Sequence, residues 1–107
     1  MSLRISLTQH TFSVVCQRLQ KHDIPASYFT QWKSMAEFDL AKGPAGKLTR
    51  ISGQDVFHEY SQSPMIVGDH RYKVVWEFEW NWNADKLTLL DLRIARIPVV
   101  AKKTEND

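Results

Sequence analysis

The sequence predicts an α+β domain: two N-terminal helices, over about 8–21 and 26–42, packed on an antiparallel sheet dominated by a long C-terminal hairpin, about 71–82 and 86–97. Three observations predict it. Apolar residues recur at helical spacing through the first forty positions, strict two-residue alternation runs from Tyr72 to Trp82, and a glycine-bearing stretch separates the two patterns. A chain of 107 residues is the size of one hydrophobic core rather than two. Residues 1–101 are therefore expected to form one domain, and 102–107 a polar, disordered tail.

Each element has its own signal. Phe12, Val15, Cys16 and Leu19 fall at i, i+3, i+4 and i+7, one apolar stripe of a helix. Ser6 or Thr8 can cap its start, Ser6 with Gln9 at capping-box spacing. The stripe stops at His22-Asp23, and Pro25 forbids simple continuation. A second stripe, Phe29, Trp32, Ala36 and Leu40, is widened by Tyr28 and Met35. Gly43 then stands where a left-handed cap residue is wanted, and Pro44 enforces the stop. Residues 43–53 read as a loop, with a short strand at Lys47–Ile51. A brief third helix is expected after Ser52, turning Val56, Phe57 and Tyr60 inward. Met65-Ile66-Val67 followed by Gly68-Asp69 reads as a short strand and turn.

The hairpin carries the clearest pattern. Tyr72, Val74, Trp76, Phe78, Trp80 and Trp82 share one face, while Lys73, Val75, Glu77, Glu79 and Asn81 share the other. A three-residue loop at 83–85 would pair Trp82 with Lys86, Trp80 with Thr88, Phe78 with Leu90, Trp76 with Leu92 and Val74 with Ile94. A slip by one residue would bring Asp91 onto the aromatic face and expose Leu90, Leu92 and Ile94. Each large apolar side chain is worth roughly 1.5–3 kcal/mol on burial, so the first register is expected to win.

Composition narrows the function classes. Hydrophobic residues at 43% and charged residues at 24% exclude a disordered or fibrous chain. One cysteine, Cys16, excludes an internal disulfide and a cysteine-rich zinc module. No apolar run approaches the roughly 20 residues that cross a bilayer, so no membrane partner is expected. The start of the chain lacks the pattern of a secretory signal, and a cytoplasmic location is the expectation. Residues 1–60 hold seven basic and five acidic residues, and 61–107 hold seven of each. That balance gives no basic stripe of the kind nucleic-acid binding uses.

Four groups of residues are candidate sites. On the aromatic face, Val74, Trp76 and Phe78 are core residues, whereas Trp80 and Trp82 near the tip could anchor a partner. On the opposite face, Glu77 lies opposite Asp91, Glu79 opposite Leu89 and Val75 opposite Arg93. Arg93 is placed diagonally to relieve the Glu77–Asp91 repulsion. The resulting patch of Glu77, Glu79, Arg93 and Leu89, with Val75 and Leu87, mixes polar and apolar groups as protein interfaces do. Lys42, Lys47 and Arg50 form a local positive patch for an anion or nucleic-acid backbone. Gly43 to Lys47 is not a phosphate-binding loop, because two rather than four residues separate the glycines and Leu48 follows the lysine. His10, His22, His58 and His70 show no ligand spacing, Cys16 lies on an apolar stripe, and neither a catalytic motif, a cofactor nor a metal site is indicated.

These features favour a small non-catalytic interaction module or inhibitor that binds a larger protein through the hairpin, with Trp80 and Trp82 buried in the contact and Glu77, Glu79 and Arg93 orienting it. A homodimer through the outer hairpin face is compatible with the same patch. The order helix, helix, short helix, hairpin is similar to a winged helix, which implies nucleic-acid binding through the 42–50 loop with Arg93 and Arg96. That architecture wants a basic recognition helix, whereas the third helix here would carry Asp55 and Glu59. The remaining class is a ligand-binding or enzymatic α+β cone with a pocket lined by Tyr28, Trp76 and Trp80.

Overall fold

Helical spacing in the first forty residues produces two helices in the computed structural model, which describes residues 3–51, 57–81 and 86–99. Helix α1 spans Gln9–Lys21, and Thr8 caps it by accepting a hydrogen bond from the Thr11 backbone N–H at 3.1 Å. Val15 and Leu19 of the expected stripe are buried, but Phe12 is 46% exposed and Thr11 takes the inward place. At its end the Ile24 N–H donates to the Leu19 carbonyl at 2.9 Å, with Asp23 at φ +56°, and Ile24 turns back into the core. Helix α2 spans Ser27–Leu40, and Phe29, Trp32, Ala36 and Leu40 are all buried, as their spacing requires. Met35 is not part of that face, being 50% exposed. A 3₁₀ turn, Pro44–Gly46, follows Gly43, whose φ of +150° suits glycine alone.

Five strands form one sheet. They are β1 (Ile5–Ser6), β2 (Thr49–Arg50), β3 (Phe57–Val67), β4 (His70–Asn81) and β5 (Lys86–Arg96), in the spatial order β1-β5-β4-β3-β2. All neighbours are antiparallel except β1, which lies parallel to β5 with Ile5 beside Leu87. The class is α+β, two helices against a mostly antiparallel sheet. The core lies between helices and sheet, where Trp32, Trp76, Phe78, Leu19, Leu87 and Leu92 are among the fully buried side chains.

Three features differ from the sequence reading. The third helix does not form over residues 57–60, which open the eleven-residue strand β3 instead. His58, Tyr60 and Gln62 alternate inward, and polar residues at two of these places hide the strand from a hydrophobicity pattern. Val56, Ser52 and the tail 102–107 lie outside the described residues. Second, the N-terminus contributes the two-residue strand β1, with Leu3 and Ile5 buried. Third, the hairpin register holds only over part of its length. Val74↔Ile94, Val75↔Arg93, Trp76↔Leu92 and Glu77↔Asp91 pair as expected, but beyond an irregularity at Glu77/Phe78 the pairs are Phe78↔Leu89, Glu79↔Thr88 and Trp80↔Leu87.

The cause is a β-bulge that places Leu90 as an extra residue in β5. An unbroken ladder would bury Thr88 and Leu90 and expose Leu87 and Leu89. The bulge buries Leu87 and Leu89 and leaves Leu90 37% exposed. It exchanges one threonine for one leucine in the core, a gain of roughly 1–2 kcal/mol. The Leu92 N–H, next to the bulge, donates to Asp91 Oδ1 at 2.8 Å.

Candidate functional site

The two faces of the hairpin meet opposite surroundings. Tyr72, Val74, Trp76, Phe78 and Trp80 all point toward the helices and are 5% exposed or less. Trp76 is stacked on Phe29 of α2 with ring centres 5.7 Å apart, and its indole N–H donates to Gln62 Oε1 at 2.7 Å. The Gln62 amide in turn donates to the Trp32 carbonyl at 3.1 Å, so a buried polar chain ties β4 to α2 through β3. Trp80 packs edge-on against the buried His58 ring at 5.1 Å. Trp80 and Leu89 are therefore core residues rather than surface anchors. Trp80 is 5% exposed against the His58 ring of β3, and Leu89 turns inward at the bulge. Trp82 lies outside the described residues. A pocket lined by Tyr28, Trp76 and Trp80 does not form, since both indoles are packed inside.

The outer face has no helix over it among the described residues. Its middle is a row of three acids, Glu59 on β3, Glu77 on β4 and Asp91 on β5, in register side by side. Such a row would repel itself without cations. Arg93 reaches across β4 and donates to Glu59 Oε2 at 2.8 Å, with Glu77 at 3.7 Å. The hydrogen bond to Glu59 raises the Arg93 pKa, with the charges of Glu59, Glu77 and Asp91 adding to it and partial burial opposing it. Arg18 of α1 holds Asp91 from the sheet edge, donating to both carboxylate oxygens at 3.1 and 3.2 Å. Arg93 thus bridges Glu77 to Glu59 rather than to Asp91.

Of the residues expected on this face, Glu77, Glu79 and Arg93 are present and Leu89 is replaced by Leu90. Sequence reasoning missed Glu59, Phe57 and Ile66, which β3 adds to the same face, and the signal for them was the alternation Glu59-Tyr60-Ser61-Gln62. Phe57 and Val75 are half-buried, and Ile66 is 61% exposed. The face therefore combines apolar patches with a central pre-paired network of Glu59, Glu77 and Arg93.

The basic loop is arranged differently. Lys47 pairs with Asp39 at 3.4 Å, and the Lys42 ammonium sits 4.5 Å from the Phe38 ring centre. Arg50 is exposed on β2. Elsewhere a cleft of about 860 Å³ opens between the N-terminal strand and α2, lined by Arg4, Lys33, Glu37, Phe38 and Lys42 among others. Its carboxylate is occupied, because Glu37 Oε2 accepts from the Ile5 N–H and from Lys33, each at 2.8 Å. Among the described residues no group of three or more His, Cys, Asp or Glu is arranged to hold a metal ion, and no helix is long and apolar enough to cross a membrane. The chain matches no known protein-family model, no curated protein and no solved structure.

Proposed function

We propose that the chain is a small non-catalytic interaction module whose docking surface is the outer face of its sheet. The observation that carries this reading is the contrast in finish between the two faces. One is closed by two helices. The other is long and, among the described residues, uncovered, and it presents Phe57, Val75, Leu90 and Ile66 around the paired Arg93, Glu59 and Glu77. Protein interfaces have this make-up of apolar centres within an oriented polar surround. The loop around Lys42, Lys47 and Arg50 gives less support to a nucleic-acid reading, since Lys47 is already neutralised by Asp39.

A photo-crosslinking residue placed at Val75 tests the reading in cells, with the same residue at the exposed helix position Gln31 as control. Discrete protein adducts are expected from position 75 and few or none from position 31. Equal adduct patterns from both positions, or none from position 75, overturn it.

A further inference from the structure

We infer that the partner of the outer sheet face is a second copy of this chain, packed face to face about a twofold axis that crosses the strands at Val75. The inference rests on the docking-face reading above and names its occupant. It starts from the outward residues of β4, which read Arg71, Lys73, Val75, Glu77, Glu79: two cations, an apolar centre, two anions. Among the described residues Arg71, Lys73 and Glu79 make no ion pair within the chain, so their charges stand ready for an outside partner.

A sequence that reverses its charge about a central point is complementary to itself run backwards. A twofold axis lying in the interface and across the strands through Val75 supplies that reversal. It sets Arg71 of one copy against Glu79 of the other, and Lys73 against Glu77, each contact occurring twice. Val75 meets Val75 on the axis.

β3 obeys the same symmetry independently. Phe57 shares a row with Glu79, and Ile66 shares a row with Arg71, so the two lie on the outer face at equal distances on either side of the axis. The rotation places Ile66 of one copy over Phe57 of the other, covering a side chain that is otherwise 61% exposed. On β5, Arg93 lies beside Val75 on the axis, where an unpaired arginine would repel its own image. It is already neutralised within each copy by Glu59 and Glu77. Parallel stacking of the two sheets would instead set cations over cations and acids over acids.

Size sets the strength. Three long strands at about 4.8 Å spacing and 3.3 Å per residue cover on the order of 500 Å² on each copy. Some 1,000 Å² in total lies near the lower limit of specific interfaces, so the pair is a weak one.

Sedimentation velocity of the full chain over a hundredfold concentration range tests this. Wild type is expected to pass from monomer to dimer, with association weakening in high salt. The double variant Arg71→Glu, Lys73→Glu has an all-acidic stripe, and Glu77→Lys, Glu79→Lys an all-basic one. Each alone should self-associate at least tenfold more weakly than wild type, whereas the two mixed should form a heterodimer. The quadruple variant that swaps all four charges restores the reversal and should dimerise like wild type, which also shows that these surface changes leave the fold intact. A wild type that stays monomeric throughout overturns the twofold pairing. So does either double variant associating as tightly as wild type. In those cases a crosslink from Val75 to a protein of different mass would leave the docking-face reading standing, and a lack of any specific crosslink would remove both.

Discussion

The inner and outer faces of β4 are built on the same backbone ladder, one residue apart, yet they do different physical work. Inward, Tyr72 to Trp80 are held by ring stacking, leucine contacts and the Trp76–Gln62–Trp32 hydrogen bonds. Outward, Glu77 is held by a charge pair with Arg93 that water screens, and Lys73 and Glu79 make no ion pair among the described residues. The inner face therefore fixes the register and carries the stability. The outer face is energetically cheap to change, a freedom that the proposed docking role would use.

The Leu89-Leu90 doublet is the place to break this contrast. Leu89 is 1% exposed and Leu90 is 37% exposed, although they are adjacent and chemically identical. Leu89→Ala should cost about 2–5 kcal/mol, as buried leucines do. Leu90→Ala should cost less than about 1 kcal/mol. Urea denaturation of the two variants checks it, and equal losses would mean that the bulge is placed wrongly.

How far these features were legible in the sequence follows from the same doublet. Period-two alternation from Tyr72 to Trp82 revealed the hairpin and the pairing from Val74 to Glu77, because a shift there would have buried charge. The bulge escaped because the register argument assumed one phase throughout β5. The inward residues Leu87 and Leu89 are followed by Leu92, a spacing of three, and that odd step is the trace an extra residue leaves. β3 has the same break, with Gln62 followed inward by Met65. Its inward His58 and Gln62 are polar, and their partners lie on other elements, Trp76 and Trp32 for Gln62 and Trp80 for His58. No local pattern can announce a polar residue whose burial is justified only by tertiary contacts. Glu77, Glu79 and Arg93 of the hairpin's outer face were readable for the opposite reason, since charges on a strand almost always face away from a core, whereas Glu59 was missed with its strand.

A sharper version of the comparison sets Gln62 against Arg93, two side chains that each bridge neighbouring elements by two polar contacts. Gln62→Ala leaves the Trp76 indole N–H and the Trp32 carbonyl without their present partner in a buried place, and about 1–3 kcal/mol should be lost. Arg93→Ala removes contacts at a side chain 47% exposed, and less than about 1 kcal/mol should follow. Thermal melts of both variants measure the difference. A larger loss for Arg93 would show that the outer network, rather than the core, sets stability.

A small effect that depends on pH is expected at Tyr60, which links the two environments: its ring is buried and its hydroxyl donates to Asp39 at 2.7 Å beside solvent. That hydrogen bond, helped by Lys47, holds the Asp39 carboxyl below its ordinary value of 3.8. Burial first, and then the Asp39 carboxylate, push the Tyr60 phenol well above its ordinary 10.0. The two shifts act at opposite ends of the pH scale. A lowered carboxylate stabilises the fold above about pH 4, and that contribution fades as pH falls through the lowered value. A raised phenol stabilises the fold fully below pH 10, and the contribution fades above it, because the unfolded chain ionises while the folded one keeps its proton. Tyr60→Phe removes the phenol and the bond together. At pH 7 the loss should be no more than about 1 kcal/mol, since Asp39 is well solvated. The variant should also lose less stability than wild type on going from pH 7 to pH 3 or to pH 11. Urea midpoints at the three pH values decide it: a constant offset between wild type and variant would mean that the Tyr60–Asp39 contact contributes nothing that depends on protonation.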